Sequence, residues 1–454
     1  MKFVPFIFAL LSNILAAADW PQWRGPHSNG SSQEKGLPDK FSQTENVLWT
    51  APMPGPAGST PIILGDKAFV TAAVESRQKL VGLCLDANTG AVKWAKDLAE
   101  GYKGDDKSNY AGPSPATDGK IVVFFFGNGE LIACDLAGKE VWRRNLQKDY
   151  GRFAFLWTFS TSPVLHEGKL YMQVLQRNVA FQGWGKQKGE PGGKNESYLL
   201  ALDPANGKEL WHHVRHADAV EESLESFTTP VPAKVGGIEQ LLIAGGDALS
   251  GHDLASGREL WRWSTWNPDK IASWRLVPSP VVGDNVVLAC APKGSPVYAV
   301  KGGLKGSHAG ENDGLAWRSP RNDEDMPSNA YKHVSSDVAT PLFYKDHFFV
   351  LNGERQSLAC VKPATGEVLW NQPLGGRTKI EASPTGADDK IFIIDHRGDV
   401  YVVKADPAKF ELLGKIEMAP PGVKDIRSSI PIANRKLFIR THDKLFCVGL
   451  TAAE

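Results

Sequence analysis

Three cations stand at nearly the same interval ahead of a proline. Arg275, Lys379 and Arg427 precede Pro280, Pro384 and Pro431 by five, five and four residues. Glu225 stands five residues before Pro230, and Trp157 and Trp274 each stand six before theirs, Pro163 and Pro280. Cations beside flat aromatic side chains hold carboxylates, sulfates and ring systems, through charge-assisted hydrogen bonds and contact with the π face. Such a set suits an acidic peptide or an anionic sugar if the chain brings its members together. The same segments carry Tyr110, Arg152, Lys332, His333, Asp337 and Glu381. The candidate ligand site is therefore Tyr110, Trp157, Glu225, Trp274, Arg275, His333, Asp337, Lys379 and Arg427. The competing expectation is that the cations only pair with Glu225, Asp337 and Glu381 around a solvated rim, where ion pairs stabilise little and bind nothing.

Covalent and metal chemistry is harder to find. His212, His213 and His216 form a His-His-x-x-His run. Adjacent strand residues face opposite ways, so one ion cannot take both His212 and His213, and a solvated loop is expected there. The chain has no adjacent cysteines, no Cys-x-x-Cys-His and no Gly-x-Ser-x-Gly. Gly127-Asn128-Gly129 and Gly245-Gly246-Asp247 read as hairpin turns, because no helical pattern follows to make a phosphate loop. Asn195-Glu196-Ser197 matches the glycosylation acceptor pattern. A glycosidase needs two carboxylates about 5–10 Å apart, and Glu225, Asp337 and Glu381 come from distant segments. No catalytic residue and no metal site is expected. Lysine plus arginine equals aspartate plus glutamate, at 51 each, so nothing draws the chain to nucleic acid or anionic lipid.

The elements that must position these residues form a repeat. Its first half is a Ser/Thr-Pro-apolar start, a tight polar turn and an apolar strand, at Pro61, Pro115, Pro163, Pro230, Pro280, Pro341, Pro384 and Pro431. Successive prolines lie roughly 43 to 67 residues apart, the period of a four-stranded propeller blade with loop insertions. The second half is a small residue, then Asp, a turn ending in glycine, and a tryptophan: Asp86, Gly90 and Trp94 show it, as do Asp135, Gly138 and Trp142. Trp49, Trp211, Trp261, Trp317 and Trp370 belong to the same column, which predicts packing between blades and not a cofactor stack. In the fifth unit an insertion separates Lys301 from Trp317, and in the seventh Leu412 stands where a tryptophan is expected. Cys84, Cys360 and Cys447 share a column with Ala133, Ala201, Gly251, Ala299 and Val402, so they read as small interior residues and not as disulfide partners.

The last unit lacks a tryptophan strand, and an orphan strand Val47-Leu48-Trp49 stands at the other end of the chain. Pairing the two leaves no open sheet edge. The prediction is an all-β, eight-bladed β-propeller of four-stranded antiparallel blades over residues 47–450, closed by that strand, after an extension at 19–46. These repeats resemble the pyrroloquinoline-quinone (PQQ)-like propeller superfamily. The opening Asp19-Trp20-Pro21-Gln22-Trp23-Arg24-Gly25-Pro26 is similar to the start of its exported bacterial members. The resemblance implies one of two functions, because the superfamily holds both quinone-dependent dehydrogenases and non-enzymatic scaffolds. Its dehydrogenases use PQQ with calcium held by clustered Asp, Asn and Glu, often under a vicinal disulfide.

Lys2, the apolar run Phe3 to Leu15 and Ala16-Ala17-Ala18 make residues 1–18 a signal peptide, too short to span a bilayer. The expected mature chain starts near Asp19 and is a periplasmic or extracellular monomer without a transmembrane segment. The expected function is a non-catalytic scaffold or ligand-binding protein that takes a protein, peptide or glycan on its channel face, with no cofactor. The alternative is a PQQ-dependent dehydrogenase with calcium.

Overall fold

The computed structural model describes residues 18–450, apart from 103, 182–184, 194, 265, 294–295 and 321–333. Eight antiparallel sheets follow one another along the chain, each passing from a short inner strand to an outer one. Blade one runs from Ile62–Leu64 out to Val92–Glu100, blade two from Ala116–Thr117 to Glu140–Asn145, and blade three from Val164–His166 to Glu209–Val214. Blades four to seven begin at Val231–Val235, Val281–Gly283, Leu342–Tyr344 and Thr385–Ala387. Blade eight begins at Ile432–Ala433 and takes its outer strand, Val47–Pro52, from the start of the chain, paired antiparallel with Lys444–Val448. The ring is thus closed as the orphan strand predicts. Arg440 reinforces the seam by donating to the carbonyls of Thr71 and Gly55.

The tryptophan column explains the turn glycine and the small-residue column together. The Asp86 carboxylate accepts from the N–H groups of Asn88 and Thr89 and so holds the turn. Gly90 ends that turn at φ +74°, where a Cβ would lie 2.5 Å from the Trp49 ring. Trp49 therefore lies flat against the next blade, and its Nε1 donates to the Ala87 carbonyl at 3.1 Å. Trp94, Trp142, Trp211 and Trp317 repeat the arrangement on Gly138, Gly207, Gly257 and Gly366. Directly across the sheet from each repeat tryptophan stands the small residue: Cys84 faces Trp94, Cys360 faces Trp370 and Cys447 faces Trp49. All five thiols are buried and unpaired, and burial pushes them up to about 11 or 12. The core is the set of seams between neighbouring blades, filled from both sides.

Three places depart from the expected pattern. The insertion in blade five contributes Gly306–Ala309, a fifth strand lying parallel on the outer strand Glu259–Ser264 of blade four. Trp261 meets no repeat glycine on blade five and turns inward, donating to Gln240 Oε1 at 2.6 Å. In blade seven the tryptophan position is Gly414, opposite Val402, while Leu412 faces Val403. The extension passes there, so close that a Cβ on Gly414 would lie 2.8 Å from the Asp39 carbonyl, and Leu37 and Phe41 are buried in the same seam. His212 and His213 lie on the outer strand of blade three and not in a loop, and they face opposite ways as strand residues do. His212 stacks on Tyr150, and His213 lies against His252.

The extension is a structural element in its own right. Trp20 and Ile63 exchange both backbone hydrogen bonds, Thr117 N–H donates to the Pro21 carbonyl, and Leu165 N–H donates to Gln22 Oε1. On the far side Arg24, fully buried, donates to the carbonyls of Pro341 and Pro384, while Gly386 bonds Gly30 and Ser32. The segment therefore crosses from blades one to three to blades six and seven.

Candidate functional site

The residue before each inner strand builds a ring. The Thr60 N–H donates to Ser114 Oγ, the Ser114 N–H to Ser162 Oγ, and so on through Thr229, Ser279, Thr340 and Ser383 to Ser429. These seven bonds, of 2.8–3.2 Å, explain why a serine or threonine recurs there: only a hydroxyl both reaches the neighbouring blade and tolerates the channel. Ile430 follows Ser429 where the other seven blades have proline, so Pro431 stands one residue past the repeat position. By ring register, Arg275 and Lys379 are equivalent, each four residues before its hydroxyl. Arg427 is two before its own and corresponds to Glu381.

Within the ring lies a cavity of about 890 Å³. Its mouth is made by the loops that precede the ring residues and by the turns after the second strand of blades five and six. Its floor is Trp23, carried in by the extension, which bonds to residues beyond the ring. Among the described lining residues are six cations (Lys107, Arg275, Lys293, Arg355, Lys379, Arg427) and four carboxylates (Glu222, Asp337, Glu354, Glu381). Among the described lining residues cations thus exceed carboxylates by two, within a chain of zero net charge.

Trp157, Arg275, Asp337, Lys379 and Arg427 line this cavity. Arg275 pairs with Glu222 at 3.3 Å, and Lys379 pairs with Glu354, which raises the lysine above its ordinary value. Asp337 accepts the Lys293 N–H at 2.8 Å. Arg427 Nε lies 2.6 Å from Glu381 Oε2, and its other arm donates to the Asp106 carbonyl. Burial alone would raise Glu381, but His396, 3.0 Å away, and Arg427 together hold it down at about 2. Lys107 stands over the Trp157 ring, 5.6 Å from its centroid. Tyr110, Glu225 and Trp274 lie outside the lining. Tyr110 packs into the seam between blades one and two, and Trp274 into the seam between blades four and five. Glu225 is fully buried, accepting from Arg177 Nε at 2.6 Å and from the Leu156 N–H; burial pushes it up to about 7 against both partners. His333 and Lys332 fall outside the described residues. Arg152 is exposed beside Glu190, and Asn195 is buried with its Oδ1 on the Glu190 N–H.

Sequence reasoning missed Trp23, Glu222, Lys293, Glu354 and Arg355. Trp23 had a signal in the opening motif, and the ring hydroxyls had one in the repeat. The turn residues Lys293, Glu354 and Arg355 share no motif and were not legible. The lining carboxylates are engaged one by one, and among the described residues no three His, Cys, Asp or Glu side chains converge as metal ligands. The described lining residues therefore do not form the carboxylate cluster that a calcium ion, with about six or more oxygen ligands, would take. Among the described residues no helix is long and apolar enough to cross a membrane.

A curated relative, polyvinylalcohol dehydrogenase of Pseudomonas sp., is 27% identical over 199 residues, which is 42% of this chain and 28% of that protein. The chain thus spans little more than a quarter of that relative's length. Among solved structures, a europium-containing methanol dehydrogenase covers 95% of this chain and 98% of its own, at 11% identity and a TM-score of 0.66. BamB from Moraxella catarrhalis covers 89% and 97%, at 14% identity and a TM-score of 0.56. These two likenesses are of fold. The sequence profile of the family described as outer membrane protein assembly factor BamB matches residues 41–188, 192–308 and 307–409. That span takes in most of the chain, blades one to six and the three inner strands of blade seven, so the chain belongs to this PQQ-repeat β-propeller family.

Proposed function

We propose that this protein is an exported, non-catalytic binding propeller that holds an anionic protein segment, peptide or glycan in its channel. The observation that carries the reading is the cavity itself, a floored pocket within the 300–1,000 Å³ or so of ordinary ligand sites, with more cations than carboxylates among its described lining residues. The relatives allow either a scaffold or a dehydrogenase. The engagement of Glu222, Glu354 and Glu381 with cations favours the scaffold, because among the described residues it leaves no cluster of free carboxylates for calcium. Export rests on the Lys2 to Ala18 leader.

Calorimetry with two anionic probes, hexaglutamate and oligogalacturonate, tests the reading. Binding of at least one of them should weaken about tenfold or more in the double variant Arg275→Gln, Arg427→Gln, the loss expected for charge-assisted hydrogen bonds. Equal binding by the parent and the double variant would place the ligand elsewhere.

A further inference from the structure

Four of the six lining cations already have carboxylate partners: Lys107 has Asp106, Arg275 has Glu222, Lys379 has Glu354 and Arg427 has Glu381. Arg355 and Lys293 have none among the described residues. The two hold corresponding places on neighbouring blades, in the turns after His347–Asn352 and Val286–Cys290. Each turn is fixed through its backbone, since the Arg355 N–H donates to Asn352 Oδ1 and the Lys293 N–H to Asp337 Oδ1. The turns are held while the two charged ends, on one side of the mouth, meet no carboxylate among the described residues.

Deeper in, the ring hydroxyls are half used. From Ser114 round to Ser429 each oxygen accepts one backbone N–H, and no acceptor for its own proton exists among the described residues. Ser114, Ser162, Thr229, Thr340, Ser383 and Ser429 stand on the cavity wall, and each hydroxyl is able to give one further hydrogen bond. Below them Trp23 is only partly buried, and Trp157 stands at the side. A peptide would bring backbone N–H groups into this space, and of the described lining carboxylates Glu222, Glu354 and Glu381 are already paired with cations, while Asp337 Oδ1 already accepts the Lys293 N–H. A carbohydrate brings what the wall lacks: oxygen acceptors around the whole edge of a ring, and an apolar face for the indole.

We propose that the channel takes an acidic saccharide, seated with one sugar ring over Trp23 inside the hydroxyl circle and with its carboxylate or sulfate on Arg355 and Lys293. This rests on the reading of the channel as an anion-binding pocket and commits that reading to one ligand class.

The test is calorimetry of the full mature chain with trigalacturonate, neutral maltotriose and hexaglutamate. Trigalacturonate binds at least about tenfold tighter than maltotriose, the worth of one charge-assisted hydrogen bond. The double variant Lys293→Gln, Arg355→Gln removes that preference and melts like the parent, since it breaks no ion pair among the described residues. Trp23→Leu weakens both saccharides, and in the parent trigalacturonate changes the tryptophan fluorescence. Hexaglutamate bound more tightly than trigalacturonate, and released by Arg275→Gln with Arg427→Gln, overturns the saccharide while the anion pocket stands. No binding of either acidic probe overturns both. An unchanged acid preference in the Lys293→Gln, Arg355→Gln variant overturns the assignment of those two cations.

Discussion

Glu381 shows how little of a side chain's role its type discloses. Its carboxylate meets Arg427 at 2.6 Å and His396 at 3.0 Å, and these hold it at about 2 against an ordinary value of 4.5. A carboxylate depressed on folding contributes stability that is present above the unfolded value and lost as pH falls through the folded one. The window here runs from about 4.5 down to about 2. The shift corresponds to about 3 kcal/mol at most. Glu381→Gln should therefore cost up to that amount at pH 7, and the gap to the parent should close as pH approaches 2. Urea unfolding of both proteins between pH 7 and pH 2.5 checks this, and a gap independent of pH would show that shape and not charge is responsible. Glu225 is the opposite case. The sequence interval sets it beside the cations, but the fold carries it beneath the surface onto Arg177, and Glu222, three residues earlier, faces Arg275 instead. Nothing in the order of residues separates a carboxylate at the mouth from one a turn below it.

At the level of elements, the repeat was legible because each of its columns answers to one contact. The glycine yields to a tryptophan ring, the small residue stands across from that ring, and the hydroxyl reaches the next blade. Where a contact is missing the column fails too, as at Gly414, where the extension replaces the tryptophan. Ring closure is the most exposed consequence. Trp49 is nearly buried and bonds across the seam to Ala87, so Trp49→Ala should cost about 3–5 kcal/mol in denaturant unfolding. Deleting residues up to Thr50 removes the outer strand of blade eight and exposes the edge of Lys444–Val448 to other chains. Size-exclusion chromatography should then show association. A truncated chain that stays monomeric and melts like the parent would contradict the closure as a source of stability.

Over the whole molecule, the family's two known outcomes, scaffold and quinoprotein, share one ring of blades, and the difference lies in what converges on the axis. Here, among the described residues, cations outnumber carboxylates at the mouth, and each carboxylate is engaged by a cation or a backbone N–H. Titration with PQQ and calcium should therefore give no stoichiometric uptake and no dye-linked oxidation of alcohols. Turnover in that assay would move the protein to the dehydrogenase side. The sequence alone determined the number of blades, their strand order and the closing strand, because propeller blades are local units whose repeat contacts recur at fixed spacing. It also marked the loops that make the mouth, with Trp157, Arg275, Asp337, Lys379 and Arg427 among their residues. Tertiary structure alone decided which charges are spent on one another. It decided as well that residues 19–46 would cross the channel and set Trp23 as its floor, and that Arg355 and Lys293 would have no carboxylate partner among the described residues. Those outcomes depend on depth along the axis and on contacts between segments hundreds of residues apart, such as Arg24 with Pro384, which no spacing along the chain encodes.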